Sequence, residues 1–147
     1  MKYFVILSLF FVYVNAIDPK VVQAFMEKVT QFAGQCMAET KATDDDMAKL
    51  MAHEEPATHE GKCMISCMYK KFGIQNDDGT MNPDEGMNMI SKIKESDPDV
   101  YEKMVAVVNK CRDSPVDEDH CITALDAAKC LIKEAKEMGL PPDMMGM

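Results

Sequence analysis

Residues 58–73 read THEGKCMISCMYKKFG, and this stretch decides the fold. Thr58 can cap a helix from about His59 to Phe72, and Gly73 is placed to end it in the left-handed conformation that glycine tolerates. Cys63 and Cys67 stand at i and i+4 on that helix and therefore share a face. Side chains fixed in this way are poorly set to bridge each other, so each cysteine reaches a different element and the helix is tied to two others.

The remaining cysteines are Cys36, Cys111, Cys121 and Cys130, and the six leave gaps of 26, 3, 43, 9 and 8 residues. Ahead of them lies Lys2, an apolar run from Tyr3 to Val14, and the tripeptide Val14-Asn15-Ala16. This has the form of a secretory signal peptide over residues 1–16, cleaved after Ala16; its apolar run is too short for the roughly 20 residues a membrane span needs. An even cysteine set behind an export signal predicts three disulfides rather than reactive thiols. Residues 17–147 are then one domain, large enough to bury a sizeable core.

The chain carries 25 acidic against 16 basic side chains, a formal net charge of −9. Losing Lys2 with the leader makes the remainder more acidic still. Nucleic acid is excluded as a partner, and stable association with an anionic membrane is disfavoured. There is no tryptophan, and there are 15 methionines. Methionine is unbranched and polarizable, so Met-rich surfaces re-pack around differently shaped partners, although several of these residues serve equally well as ordinary helix core.

Helical periodicity recurs along the chain with almost no strand-like alternation, which predicts an all-α fold. Asp18-Pro19 opens a first helix to about residue 39, with Val22, Phe25, Met26, Val29, Phe32, Ala33 and Cys36 at helical spacing. Thr43 and three aspartates start a short helix over Asp44 to His53. Gln75 to Thr80 is a turn. Asn82-Pro83 starts a helix to about Glu95, Asp97-Pro98 opens another through Cys111, and the last begins near Asp117 and stops before Gly139. Cys121 and Cys130, nine residues apart, project from opposite faces of that last helix and need different partners. Spacing alone leaves the pairing open among the 15 connectivities that six cysteines allow.

The cysteine order, with its three-residue and eight-residue gaps, together with the leader, size, acidity and helical pattern, resembles the six-cysteine insect odorant-binding proteins of the PBP/GOBP family. The resemblance spans the whole mature chain. It implies six or so helices around an apolar cavity, with bridges Cys36 to Cys67, Cys63 to Cys121, and Cys111 to Cys130. It also implies a secreted, extracellular carrier of small hydrophobic, volatile molecules such as odorants or pheromones. The carrier works in sensillar lymph or a similar fluid and delivers its cargo to an olfactory receptor. It needs no cofactor and is a monomer or weak homodimer. A non-olfactory carrier in another fluid and a helical secreted signal are the alternatives.

The expected ligand-binding residues are those of the inward apolar rows: Met26, Val29, Met64, Met68, Phe72, Ile74, Met87, Ile90, Ile93, Met104, Val108, Leu125 and Ile132. Each could instead be core packing between helices. Tyr69 or Tyr101 could donate a hydrogen bond to a ligand, against a default of surface tyrosines.

Other chemistries fit less well. Asn76, Asp78, Gly79 and Glu85 match positions 3, 5, 6 and 12 of a calcium loop, but Ile74 occupies the first position and supplies no carboxylate. His53, His59 and His120 lack a zinc spacing, and bridged cysteines are not thiolate ligands. A secreted phospholipase needs a helical His-Asp pair beside a calcium loop, and His120 is followed by Cys121. No catalytic set can be assembled, and the chain is read as a non-enzyme. The tail from Pro141 is short and stiffened by two prolines, so it is read as covering one wall of the pocket with Leu140, Met144 or Met145 rather than as forming a new helix.

Overall fold

A computed structural model describes residues 19–140. The leader, the Asp18 cap and the tail from Pro141, with Met144 and Met145, lie outside the described residues. Six helices follow one another: α1 (Pro19–Thr40), α2 (Asp44–Met51), α3 (His59–Lys71), α4 (Pro83–Ser91), α5 (Pro98–Cys111) and α6 (His120–Glu137). The fold is all-α; among the described residues the only ladder pairing is an isolated bridge between Gln75 and Met81.

The helix starts follow from their caps. Thr43 accepts from the Asp46 backbone N–H while Asp46 accepts from the Thr43 N–H, a reciprocal capping box. Thr58, Asn82 and Asp97 cap α3, α4 and α5, the last two followed by proline at the first helical position. Gly73 has φ +76°, as its role at the end of α3 requires.

Three boundaries differ from the expectation. α6 begins at His120 rather than near Asp117, because Asp119 caps it through the Cys121 N–H while Asp117 accepts the Asp119 N–H in a turn of its own. α4 stops at Ser91 rather than Glu95. Beyond it the chain continues in tight turns, with Lys94 N–H bonded to the Ser91 carbonyl and Ser96 N–H to that of Ile93, and the Ser91 and Ser96 hydroxyls donate to carbonyls three residues back. α2 ends at Met51 rather than His53, where His53 turns left-handed at φ +58°.

The bridges are Cys36–Cys67, Cys63–Cys121 and Cys111–Cys130, joining α1 to α3, α3 to α6, and α5 to α6. In the chain-entropy model each contributes about 3 to 4 kcal/mol. Ile65 and Tyr69 of α3 pack on Ala124, Leu125, Ala127 and Ala128 of α6, where the small residues let the helices approach closely. Ile90, Met104, Val107, Ala135 and Leu140 form a second cluster among α4, α5 and the end of α6. Cys36, Ala42 and Met64 form a third between α1 and α3.

Two buried polar side chains, Asp46 and Gln75, are held by several hydrogen bonds each. The fully buried Asp46 accepts from the backbone and hydroxyl groups of both Thr43 and Thr58, which joins the starts of α2 and α3. The Thr43 backbone N–H first, and then the Thr58 hydroxyl, lower its carboxyl to about 2. Gly61 lies against this carboxylate, and a Cβ there would come within 2.6 Å of it. Gln75, also buried, accepts from the Ser66 hydroxyl and donates to the carbonyls of Gly79 and His120, fixing the 75–81 turn to the start of α6.

Candidate ligand-binding site

The apolar side chains expected to line a pocket are distributed over all three clusters. Met64, Ile90, Met104 and Leu125 are buried within them. Met68, Ile74, Met87, Ile93 and Val108 are partly buried and packed against them, Val29, Phe72 and Ile132 are half-buried, and Met26 is 52% exposed. Half-buried apolar side chains differ physically from core: they retain surface that another apolar body could cover.

Phe72, at the end of α3, joins that helix to α1. Its ring is stacked near Phe25 at 5.7 Å between centroids and meets Phe32 edge-on at 5.0 Å. Sequence reasoning placed Phe25 and Phe32 on the apolar row of α1 but not among the lining residues. Their seven-residue spacing, which puts both rings on one helix face, is the signal that could have found them.

Tyr69 is not a surface residue: it is buried in the α3–α6 seam, and that burial raises its hydroxyl pKa well above the ordinary range. Tyr101 is half-buried, with the Lys94 ammonium 5.7 Å from its ring centroid.

Two of the hollows on the surface of the described residues bear on ligand binding. One, of about 510 Å³, runs along Gln23, Met26, Glu27, Thr30 and Gln31 of α1. The other, of about 430 Å³, is lined by Glu39, Cys63, Ser66, Cys67, Lys70, Lys71 and Asp77. Its polar lining does not suit an apolar ligand. It lies over the bridges instead.

His59 stands at that edge of the molecule. Its Nε2 is 2.7 Å from Asp119 Oδ2 and its Nδ1 is 3.5 Å from Cys63 Sγ. The His59 hydrogen bond first, and then the Cys121 N–H, hold the Asp119 carboxyl below its ordinary range. His59, Cys63 and Cys121 have their nitrogen and sulfur atoms within 4.8 Å of one another, but sulfurs joined in a disulfide carry no thiolate charge for a metal. His120 accepts from the Lys70 ammonium at Nδ1, 3.0 Å away, and its ring covers Gly79. At the 75–80 turn, Asp78 Oδ1 accepts from the Thr80 N–H and hydroxyl.

No described helix is long and apolar enough to cross a membrane.

The PBP/GOBP family model matches residues 19–134. General odorant-binding protein 19d of Drosophila melanogaster is 33% identical over 114 residues, covering 78% of this chain and 76% of that protein. The solved odorant-binding protein dmelOBP28a from Drosophila melanogaster superposes with a TM-score of 0.70 at 28% identity, over 79% of this chain and 96% of that one. The fatty acid binding protein OBP56a from the oral disk of the blowfly Phormia regina superposes with a TM-score of 0.60 at 24% identity, over 76% and 92%, a likeness of fold. With its six cysteines paired across four of six helices and the family model matching almost all of the described chain, this protein belongs to the PBP/GOBP family of extracellular carriers of small hydrophobic ligands.

Proposed function

We propose that this protein carries volatile apolar molecules, odorants or pheromones, through an aqueous lymph and delivers them to olfactory receptors. The observation that carries the reading is the half-buried apolar surface on α1, α4, α5 and the second half of α6, beside a frame stapled by three disulfides. Staples hold the helices while side chains between them stay free to re-pack around a guest. The proposed lining comprises Met26, Val29, Met68, Phe72, Met87, Ile93, Met104, Val108 and Ile132, extended by Phe25 and Phe32. Met64, Ile74, Ile90 and Leu125 close the space from behind. Secretion through a leader over residues 1–16 belongs to the same proposal.

A second reading is a carrier of longer apolar acids in a non-olfactory fluid. It is favoured by the fold likeness to a protein described as a fatty acid binder from an oral disk. Competitive displacement of a fluorescent apolar probe from the oxidised protein separates the two. Volatile alcohols, esters, aldehydes or terpenes displacing the probe at lower concentration than long-chain fatty acids support the olfactory reading. The opposite order supports the second, and absence of probe uptake refutes both.

A further inference from the structure

We propose that Cys63–Cys121 is a thiol-exchange site: small thiols open this bridge selectively through the polar cleft beside it, with the exposed His59 ring beside the departing sulfur. The cleft borders Cys63 and Cys67, one sulfur from each of two bridges, so access to the two is shared. Chemistry then decides between them. A disulfide opens most readily when the departing sulfur is stabilised as a thiolate.

Attack on Cys63 expels Cys121, the second residue of α6, which is only half-buried, and Asp119 already occupies the Cys121 N–H as the helix cap. The His59 ring nitrogen lies within 4.8 Å of that sulfur, and the ring is 60% exposed. Asp119 holds the ring by Nε2, which directs Nδ1 toward the sulfurs. Lys70 and Lys71 line the same cleft together with Glu39, which pairs with Lys71, and Asp77, so its walls carry charges of both signs.

The other two bridges have the opposite surroundings. Attack on Cys67 would expel Cys36, which is fully buried beside Ala42 and Met64, so its thiolate would form without solvation. Glu39 also places a carboxylate oxygen 3.5 Å from Cys67 Sγ, which repels an incoming thiolate. Cys111 is buried at the last position of α5, the negative end of that helix, and Cys130 lies in the interior of α6.

The exchange balances without a further oxidant. One thiolate RS⁻ attacks Cys63 Sγ, the S–S bond breaks, and the products are a Cys63–SR mixed disulfide and the Cys121 thiolate. A second RS⁻ attacking the sulfur of the R group releases the Cys63 thiolate and RSSR, a two-electron reduction of the bridge by two thiols.

The experiment exposes the oxidised protein to graded glutathione, quenches in acid, alkylates, and locates free and glutathionylated cysteines by peptide mass. Early samples should carry glutathione on Cys63 and alkylated Cys121, with the other two bridges closed. His59→Gln should slow this opening by about fivefold while leaving the rate of Cys36–Cys67 unchanged. Glu39→Gln should speed opening of Cys36–Cys67. If either other bridge opens first, or Cys63–Cys121 opens equally fast in His59→Gln, the proposal is wrong. The wild-type order decides it even if a variant fails to fold.

Discussion

The α3–α6 seam and the α4–α5 side of the molecule are both apolar, but they are built differently. In the seam, six buried residues, three of them alanine, have only three partly buried apolar neighbours. On the α4–α5 side, five buried residues are surrounded by eight partly buried ones, among them Met87, Ile93, Val105, Val108 and Leu131. The seam is also secured by the Cys63–Cys121 bridge and by the buried Gln75, which accepts from Ser66 and donates to the His120 carbonyl. The difference separates two tasks within one small domain. Closely packed small residues hold the frame, and larger, flexible, incompletely covered residues are available to a guest.

Breaking the frame should have the largest effect. Gly61→Ala would drive a Cβ into Asp46 and Pro56, at 2.6 and 2.7 Å. It should cost about 3 kcal/mol, read as a lowered denaturation midpoint in urea. Ala124→Leu, which overfills the fully buried centre of the seam, should cost about 2 kcal/mol by the same measurement. If Ala124→Leu keeps wild-type stability, the seam is not the rigid element described here; if Gly61→Ala does, the Asp46 junction between α2 and α3 is not tightly packed.

Away from the seam, at the α1–α3 aromatic contact and on the α4–α5 side, the effects should fall on binding. Phe72→Ala removes both ring contacts to α1 and should weaken uptake of an apolar fluorescent probe by about tenfold, roughly 1.4 kcal/mol. Met87→Ala should change the ranking of competing ligands while lowering stability by only about 1 kcal/mol, because its side chain is already partly uncovered. A large loss of stability without a change in ranking would make Met87 core.

Acid probes the frame without mutation. The Asp46 carboxyl sits at about 2 in the folded protein against an ordinary 3.8, so its contribution is present above about pH 4 and lost as pH falls toward 2. Asp46→Asn should flatten that part of the stability profile. An unchanged acid limb would mean that other carboxylates govern it.

Much of this frame was legible in the sequence. Proline at the first helical position and Asx or Thr caps announced α3, α4 and α5, and the cysteine spacing, through the family resemblance, supplied the bridges. Local competition set the limits. Asp117 and Asp119 both look like caps for α6, and only the hydrogen bonds of the folded chain separate them. Gln75 read as part of a polar turn, yet it is buried because its partners come from Ser66, Gly79 and His120. Apolar periodicity shows which helix face turns inward but not whether it meets another helix or open space. Met64 and Met68 therefore looked alike, and only folding made one buried and the other half-buried.

The methionines offer the most direct test that the guest occupies the α4–α5 side. In protein labelled with ¹³C at the methionine methyl groups, titration with an apolar ligand should shift the signals of Met87 and Met104, while Met47 and the exposed Met51 stay fixed. Saturable binding that leaves Met87 and Met104 unmoved, or moves only Met47 and Met51, would contradict the account.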